Sequence, residues 1–426
     1  MCGSADSRSP QAAKGLPALD GRPRSDQCRL VQQLKGVARR AWTISEDLAD
    51  TAGGTIDFAR SLRTDQHAGG VLRQAGLVVA AAVDGLLLAT FRQLRAPSTD
   101  DSFAAPLAEA SALIEYLDRQ GTFAAPEEYH GAPSAAVIEA VTRRLGRTRF
   151  GHATYPSPYR PEPDVPGALR FERETDNHVV HAWMLRQTVR APWVVCLHGA
   201  GMGDPLADMV AFRAARLHRC GFNVAIPVLP HHGPRGAGRF EVAFPGEDPT
   251  KNFHAAAQAV ADVRALLAYI DSRHERSVLY GISLGAYVAA TVAALEPALA
   301  GVIVGVPVVD IAELMRTHAP PRFTRHPAFA EFCATAAKLD SVTSALGLPP
   351  PDGSLPRRIW AGRADRLVRP SQVERLAAHW GGSEVCWYAG GHMGFLAARS
   401  VHEYIAQSLV DASVAERRHG RLTAVA

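Results

Sequence analysis

Three residues have the types and spacing to run acyl transfer. Ser283 lies in Gly281-Ile282-Ser283-Leu284-Gly285, His392 in Gly390-Gly391-His392-Met393-Gly394, and Asp365 in Gly362-Arg363-Ala364-Asp365-Arg366. A serine hydroxyl is a poor nucleophile at neutral pH and needs a base to take its proton. An imidazole can be that base, and an acid then fixes its tautomer and stabilises the imidazolium. The order Ser283, Asp365, His392 is the one expected of a Gly-x-Ser-x-Gly nucleophile elbow. Its context also fits. A β-rich run, Ser277-Val278-Leu279-Tyr280, precedes the serine, and a small-residue helix, Ala286 to Leu295, follows it. Read alone, Ser283 could be a glycine-flanked turn without chemistry, Asp365 a helix cap and His392 a loop residue. Asp310 is the fallback acid.

The developing oxyanion needs hydrogen-bond donors. Leu197-His198-Gly199-Ala200-Gly201-Met202-Gly203 supplies a glycine-rich turn after an apolar run. The expected donors are the backbone N–H of Leu284 with that of Ala200 or Gly201. The glycines lack the spacing of a dinucleotide loop, and no Lys-Ser/Thr follows. His198, Met202, His232 and Met393 are candidate substrate contacts. The adjacent His231 and His232 have no second ligand cluster, so they predict a loop near the site rather than a metal centre. Arg235 pairs either with a substrate carboxylate or with a neighbouring acid, and the sequence leaves both open. No metal and no organic cofactor are implied.

These side chains need a scaffold, and the pattern after Val165 provides one. Short apolar runs alternate with helical stretches: strands at Trp193–Leu197, Asn223–Leu229, Ser277–Tyr280, Val302–Val306, Arg358–Ala361 and Val385–Tyr388. Helices are expected at Asp208–Arg219, Thr250–Asp271, Pro370–Trp380 and Gly394–Ala412. That alternation predicts an α/β fold, a doubly wound and mostly parallel sheet covered on both faces. Leu169–Glu172 and His178–Leu185 are expected to form a leading hairpin. Residues 311–355 break the rhythm and predict a cap insertion.

Ahead of this region, residues 1–25 have a disordered composition, and 26–150 predict a helical extension. Its helices are expected at Leu30–Leu48, Gly70–Leu94, Ser102–Leu117 and Ala135–Leu145. The second is apolar nearly all round and predicts burial; were it exposed, it would suggest a membrane-surface lipid hydrolase. A proline-dense connector covers 151–164, the catalytic domain 165–412 and a loose tail 413–426.

The 426-residue chain has 47% hydrophobic and 21% charged residues and a net charge of +4, which suits a globular protein and argues against a nucleic-acid partner. The six cysteines (Cys2, Cys28, Cys196, Cys220, Cys333, Cys386) have no metal-ligand spacing and predict a reduced, cytoplasmic protein. The run Leu77–Leu88 is interrupted by Asp84 and is too short to span a bilayer.

With these residues in view, the chain resembles the α/β-hydrolase superfamily over roughly Val165 to Ala412. Gly281–Gly285 looks like its elbow, His198-Gly199 like its oxyanion turn, and Asp365 and His392 like its acid and base. Val228–Gly236, Phe244–Asp248 and Tyr388–His392 look more narrowly like a group of bacterial α/β-hydrolases with N-terminal helical extensions, whose substrates are largely unassigned. His-Gly-Ala-Gly departs from the His-Gly-Gly-Gly of many lipases and esterases. The expected function is hydrolysis of a carboxylic ester or thioester, small or lipid-like, through an acyl-enzyme. The alternatives are a peptidase or acyltransferase with the same triad, or a catalytically silent binding protein.

Overall fold

The computed structural model describes residues 52–53, 55–60, 71–94, 103–146, 148–236, 243–319 and 321–419. The expected disordered N-terminus, the helix at Leu30–Leu48, Cys2 and Cys28 lie outside the described residues.

Among the described residues, nine strands form one sheet: β1 (Glu139–Leu145), β2 (Thr148–Pro156), β3 (Val179–Leu185), β4 (Trp193–Leu197), β5 (Asn223–Pro227), β6 (Ser277–Ile282), β7 (Gly301–Gly305), β8 (Arg357–Gly362) and β9 (Val385–Tyr388). Their spatial order is β1-β2-β3-β5-β4-β6-β7-β8-β9. The first three and β5 pair antiparallel, whereas β5-β4-β6-β7-β8-β9 run parallel. Every residue of β4, β5, β6 and β7 is buried, which is why these strands read as unbroken apolar runs. β4 pairs with β5 on one side and β6 on the other. The winding reverses between β4 and β6, and the loops leaving their C-terminal ends therefore border one crevice.

The longer helices are α1 (Val71–Leu94), α2 (Ala104–Arg119), α3 (Pro205–Ala211), α4 (Ala214–Arg219), α5 (Pro249–Ser272), α6 (Leu284–Leu295), α7 (Ile311–His318), α8 (Phe329–Thr343), α9 (Pro370–His379) and α10 (Arg399–His419). α5, α6 and α9 cover one sheet face, with Val260, Val263, Val288, Val292 and Leu376 in its core. α3, α4 and α10 cover the other through Met209, Phe212, Val401, Ile405 and Leu409. α5 begins where Asp248 accepts the Lys251 N–H and Pro249 opens the first turn. The doubly wound, mostly parallel sheet is the architecture expected from the sequence. The 311–355 insertion is helical, and its α8 packs Leu339 and Val342 against Leu113 and Leu117 of α2 and Phe253 of α5.

Several local expectations change. Residues 135–145 were expected to be helical, but Glu139–Leu145 is an edge strand. Gly146, at φ 57°, turns the chain so that Leu145 pairs with Thr148. β1 is exposed on both faces, so no alternation marks it as a strand. The sheet thus starts inside the segment expected to be a helical extension and runs through Tyr155 and Pro156 of the expected connector. The hairpin expected from Leu169–Glu172 is absent: Ala168–Glu172 is a helical turn anchored by Phe171, which packs edge-on against Tyr159. β3 pairs with β2 and β5 instead. Finally, α1 is buried along one face only, through Leu77, Ala81 and Asp84, while Val79, Val83 and Leu86 are 64%, 51% and 58% exposed. α10 extends to His419, into the segment expected to be a loose tail. Among the described residues, no helix is long and apolar enough to cross a membrane.

Candidate active site

Ser283 sits between β6 and α6 with φ 56° and ψ −116°. That backbone is strained for a residue with a Cβ, and it persists because its surroundings leave no alternative. Its N–H donates to the Gly305 carbonyl of β7 at 2.9 Å. A Cβ at Gly281 would lie 2.3 Å from the Gly285 carbonyl oxygen, and one at Gly285 would lie 1.9 Å from that of Leu197. The two glycines are required by close approach, while the positive φ falls on the serine itself. α6 then starts at Leu284, so the N–H groups of its first turn lie beside Ser283.

The turn after β4 comes next to this point. A Cβ at Gly199 would meet the Ser283 Cβ at 3.5 Å and Met202 Sδ at 3.7 Å. Gly201 and Gly203 adopt φ 76° and 103°. Asp208 of α3 pins the far end of the turn: it accepts the Gly203 N–H at 3.1 Å and Trp183 Nε1–H at 2.9 Å. Burial raises the Asp208 pKa to about 7. No short-range pattern in the sequence marked this aspartate.

Asp365 and His392 follow β8 and β9, next but one and next but two to β6 in the sheet. His392 Nδ1–H donates to Asp365 Oδ2 at 2.7 Å, and both residues are 5% exposed. The other carboxylate oxygen, Oδ1, accepts the N–H groups of Leu367 and Val368, each at 2.9 Å. Asp365 therefore orders its own loop and does not cap α9, whose N-cap is Arg369. Burial lowers the His392 pKa, but the charge and hydrogen bond of Asp365, with Asp84 adding to them, outweigh it and leave the pKa raised above 6.5. Asp310, the fallback acid, caps α7 and pairs with Arg375 at 3.0 Å.

The remaining candidates separate. His198 is fully buried, accepting the Leu229 N–H at Nε2 (3.0 Å) with Nδ1 on the Gly199 carbonyl (2.9 Å). Both ring nitrogens are occupied, and burial holds the pKa at about 4. His232 is also buried, its Nδ1–H on the Pro230 carbonyl at 2.8 Å, with its pKa lowered to about 3 by burial and then by His198. Met202 is half-buried and Met393 is 42% exposed. Arg235 resolves toward the neighbouring acid: it pairs with Asp262 at 2.8 Å, buried, and donates to the Val228 and Asn177 carbonyls. Replacing Arg235 by Met leaves Asp262 as an uncompensated buried carboxylate. We expect a loss of about 3–5 kcal/mol in urea unfolding, and a loss below 1 kcal/mol would refute this account. Among the described residues, no group of three His, Cys, Asp or Glu side chains could hold a metal ion.

Asp84 stands outside the motifs read from the sequence. This residue of α1 is 1% exposed, and its Oδ2 accepts the His392 N–H at 2.7 Å and the Arg366 N–H at 3.1 Å. The available signal was the lone acid interrupting an apolar run.

Comparison with known proteins agrees with this architecture. A family model described as the alpha/beta hydrolase family matches residues 194–407. An uncharacterized protein of Mycobacterium tuberculosis (strain CDC 1551 / Oshkosh) is 39% identical over 342 residues, covering 78% of this chain and 82% of that relative. One from strain ATCC 25618 / H37Rv is 38% identical over the same length and coverage. Among solved structures, the chain is similar to an acetyl xylan esterase from Paenibacillus sp. R4, with 16% identity, a TM-score of 0.47, and 76% of this chain and 99% of that one covered. With the matched model extending over half of its length and through both the elbow and the His392 loop, the chain belongs to the alpha/beta hydrolase family.

Proposed function

We propose that the protein is a serine hydrolase that cleaves a carboxylic ester or thioester through an acyl-enzyme. The observation that carries this is the buried 2.7 Å His392–Asp365 pair at the C-terminal edge of the sheet that also presents the strained Ser283. Family membership supports hydrolysis.

In the proposed cycle His392 Nε2 takes the Ser283 proton as Oγ attacks the carbonyl carbon. The Leu284 N–H, with that of Ala200 or Gly201, receives the oxyanion. The imidazolium, stabilised by Asp365, then protonates the leaving alcohol or thiol. In the second half, His392 takes a proton from water, hydroxide equivalent adds to the acyl carbon, and Ser283 leaves with the proton returned.

Labelling with a fluorophosphonate tests this without knowledge of the substrate. The wild type is expected to be labelled and Ser283→Ala not. A folded wild type left unlabelled, or equal labelling of the two proteins, would sink the proposal.

A further inference from the structure

Asp84 belongs to an element that lies outside the span matched by the family model, yet it touches both loops that carry the acid and the base. Its Oδ2 accepts two backbone N–H groups at once, that of His392 at 2.7 Å and that of Arg366 at 3.1 Å. The residue before His392 is shaped to admit it. A Cβ at Gly391 would fall 2.6 Å from Asp84 Oδ2 and 2.7 Å from both its Cγ and Oδ1. The surrounding segment makes the same connection by other means: Leu77, two turns earlier on the buried face, packs against Ala364, and Arg366 Nη1 donates to Thr55 Oγ1 at 3.1 Å.

A neutral acceptor would serve if tethering two N–H groups were all that this position required. A carboxylate here is expensive to ionise. Burial, then the neighbouring charge of Asp365, raises its pKa to about 6. The groups facing it are Asp365 and Arg366 from the loop after β8, His392 from the loop after β9, and Tyr388 of β9, whose hydroxyl donates to the Gly391 carbonyl at 2.6 Å. When ionised, Asp84 adds a second negative charge behind the imidazole, on the side of its main chain.

We infer that Asp84 is a positioning residue for the proposed base: it fixes the main chain of His392 against the acid loop and sets a second carboxylate behind the ring. The kinetic consequence rests on the serine-hydrolase proposal, whereas the electrostatic one does not.

The decisive experiment titrates the His392 ring by NMR in the full chain, with His392→Gln identifying its resonances, in wild type and Asp84→Asn. Asparagine keeps an oxygen for both N–H groups, removes the charge and puts an NH₂ group in place of Oδ1. The ring pKa is expected above 6.5 in the wild type and lower in the variant. Should ester hydrolysis be found, the acid limb of kcat/KM, which falls as pH drops and the base is protonated, moves down with it. Asp84→Ala, which also loses the tether, lowers kcat about 100-fold while KM stays within about threefold. An unchanged ring pKa in Asp84→Asn overturns the inference, whatever the activity. An unlabelled wild type would defeat the hydrolase proposal alone, because the ring titration is read without turnover.

Discussion

Asp365→Asn is expected to lower kcat by about 10⁴-fold without unfolding the protein. The carboxylate accepts three hydrogen bonds, from Leu367 N–H and Val368 N–H on Oδ1 and from His392 Nδ1–H on Oδ2. An asparagine oxygen can retain the first two, so the loop keeps its shape. Its NH₂ group then faces His392 Nδ1. A ring that must accept at Nδ1 carries its proton on Nε2 and cannot take one from Ser283. The variant also loses the charge that stabilises the imidazolium. Turnover of a p-nitrophenyl ester, read beside a thermal melt, checks this. A fall of less than tenfold with an unchanged melt would show that Asp365 is not the orienting acid.

Gly285→Ala is expected to be strongly destabilising. The added Cβ would sit 1.9 Å from the Leu197 carbonyl oxygen, 2.3 Å from its carbon and 2.7 Å from the His198 oxygen. These are main-chain atoms at the end of a central strand, so no rotamer change relieves the clash, and α6 must lift away from β4. We expect a loss of at least about 3 kcal/mol, at the upper end of what overpacking costs. Any protein that still folds should show a loss of labelling, because the same shift displaces Leu284 N–H from Ser283. Gly381→Ala is the control. Its φ of 75° strains an alanine, but nothing lies within 4 Å of the new Cβ, and the expected cost is about 1 kcal/mol. Comparable unfolding midpoints for the two variants would refute the packing argument.

The parallel core was legible because its strands are buried on both faces, and the elbow because its glycines are demanded by local approach. The proposed acid and base were legible for a related reason: each follows a recognisable strand by a few residues, so chain order alone puts both at one sheet edge. The failures were of two kinds. Edge strand β1 is exposed and carries Glu139, Arg143 and Arg144, and with no buried face it imposes no period of two on its sequence. Val141 and Leu145, four residues apart, then satisfy a helical spacing equally well. The role of Asp84 depends on a partner far along the chain, which no local pattern encodes. Likewise His198 reads as a contact of a ligand, but both nitrogens of its ring are occupied within the protein, whereas His232 bonds through Nδ1 and its buried Nε2 has no hydrogen-bond partner among the described residues.

The separation between Asp84 and His392 is 308 residues, and it has a consequence for synthesis. At about 5–20 residues per second, α1 leaves the ribosome roughly 15–60 s before the loop it tethers has been made. Ser283 also emerges ahead of both Asp365 and His392. A nascent chain therefore carries the elbow without its proposed base, and β9 must be made before α1 finds its polar partners. Reactivity at Ser283 should accordingly arise only after the His392 loop has been made.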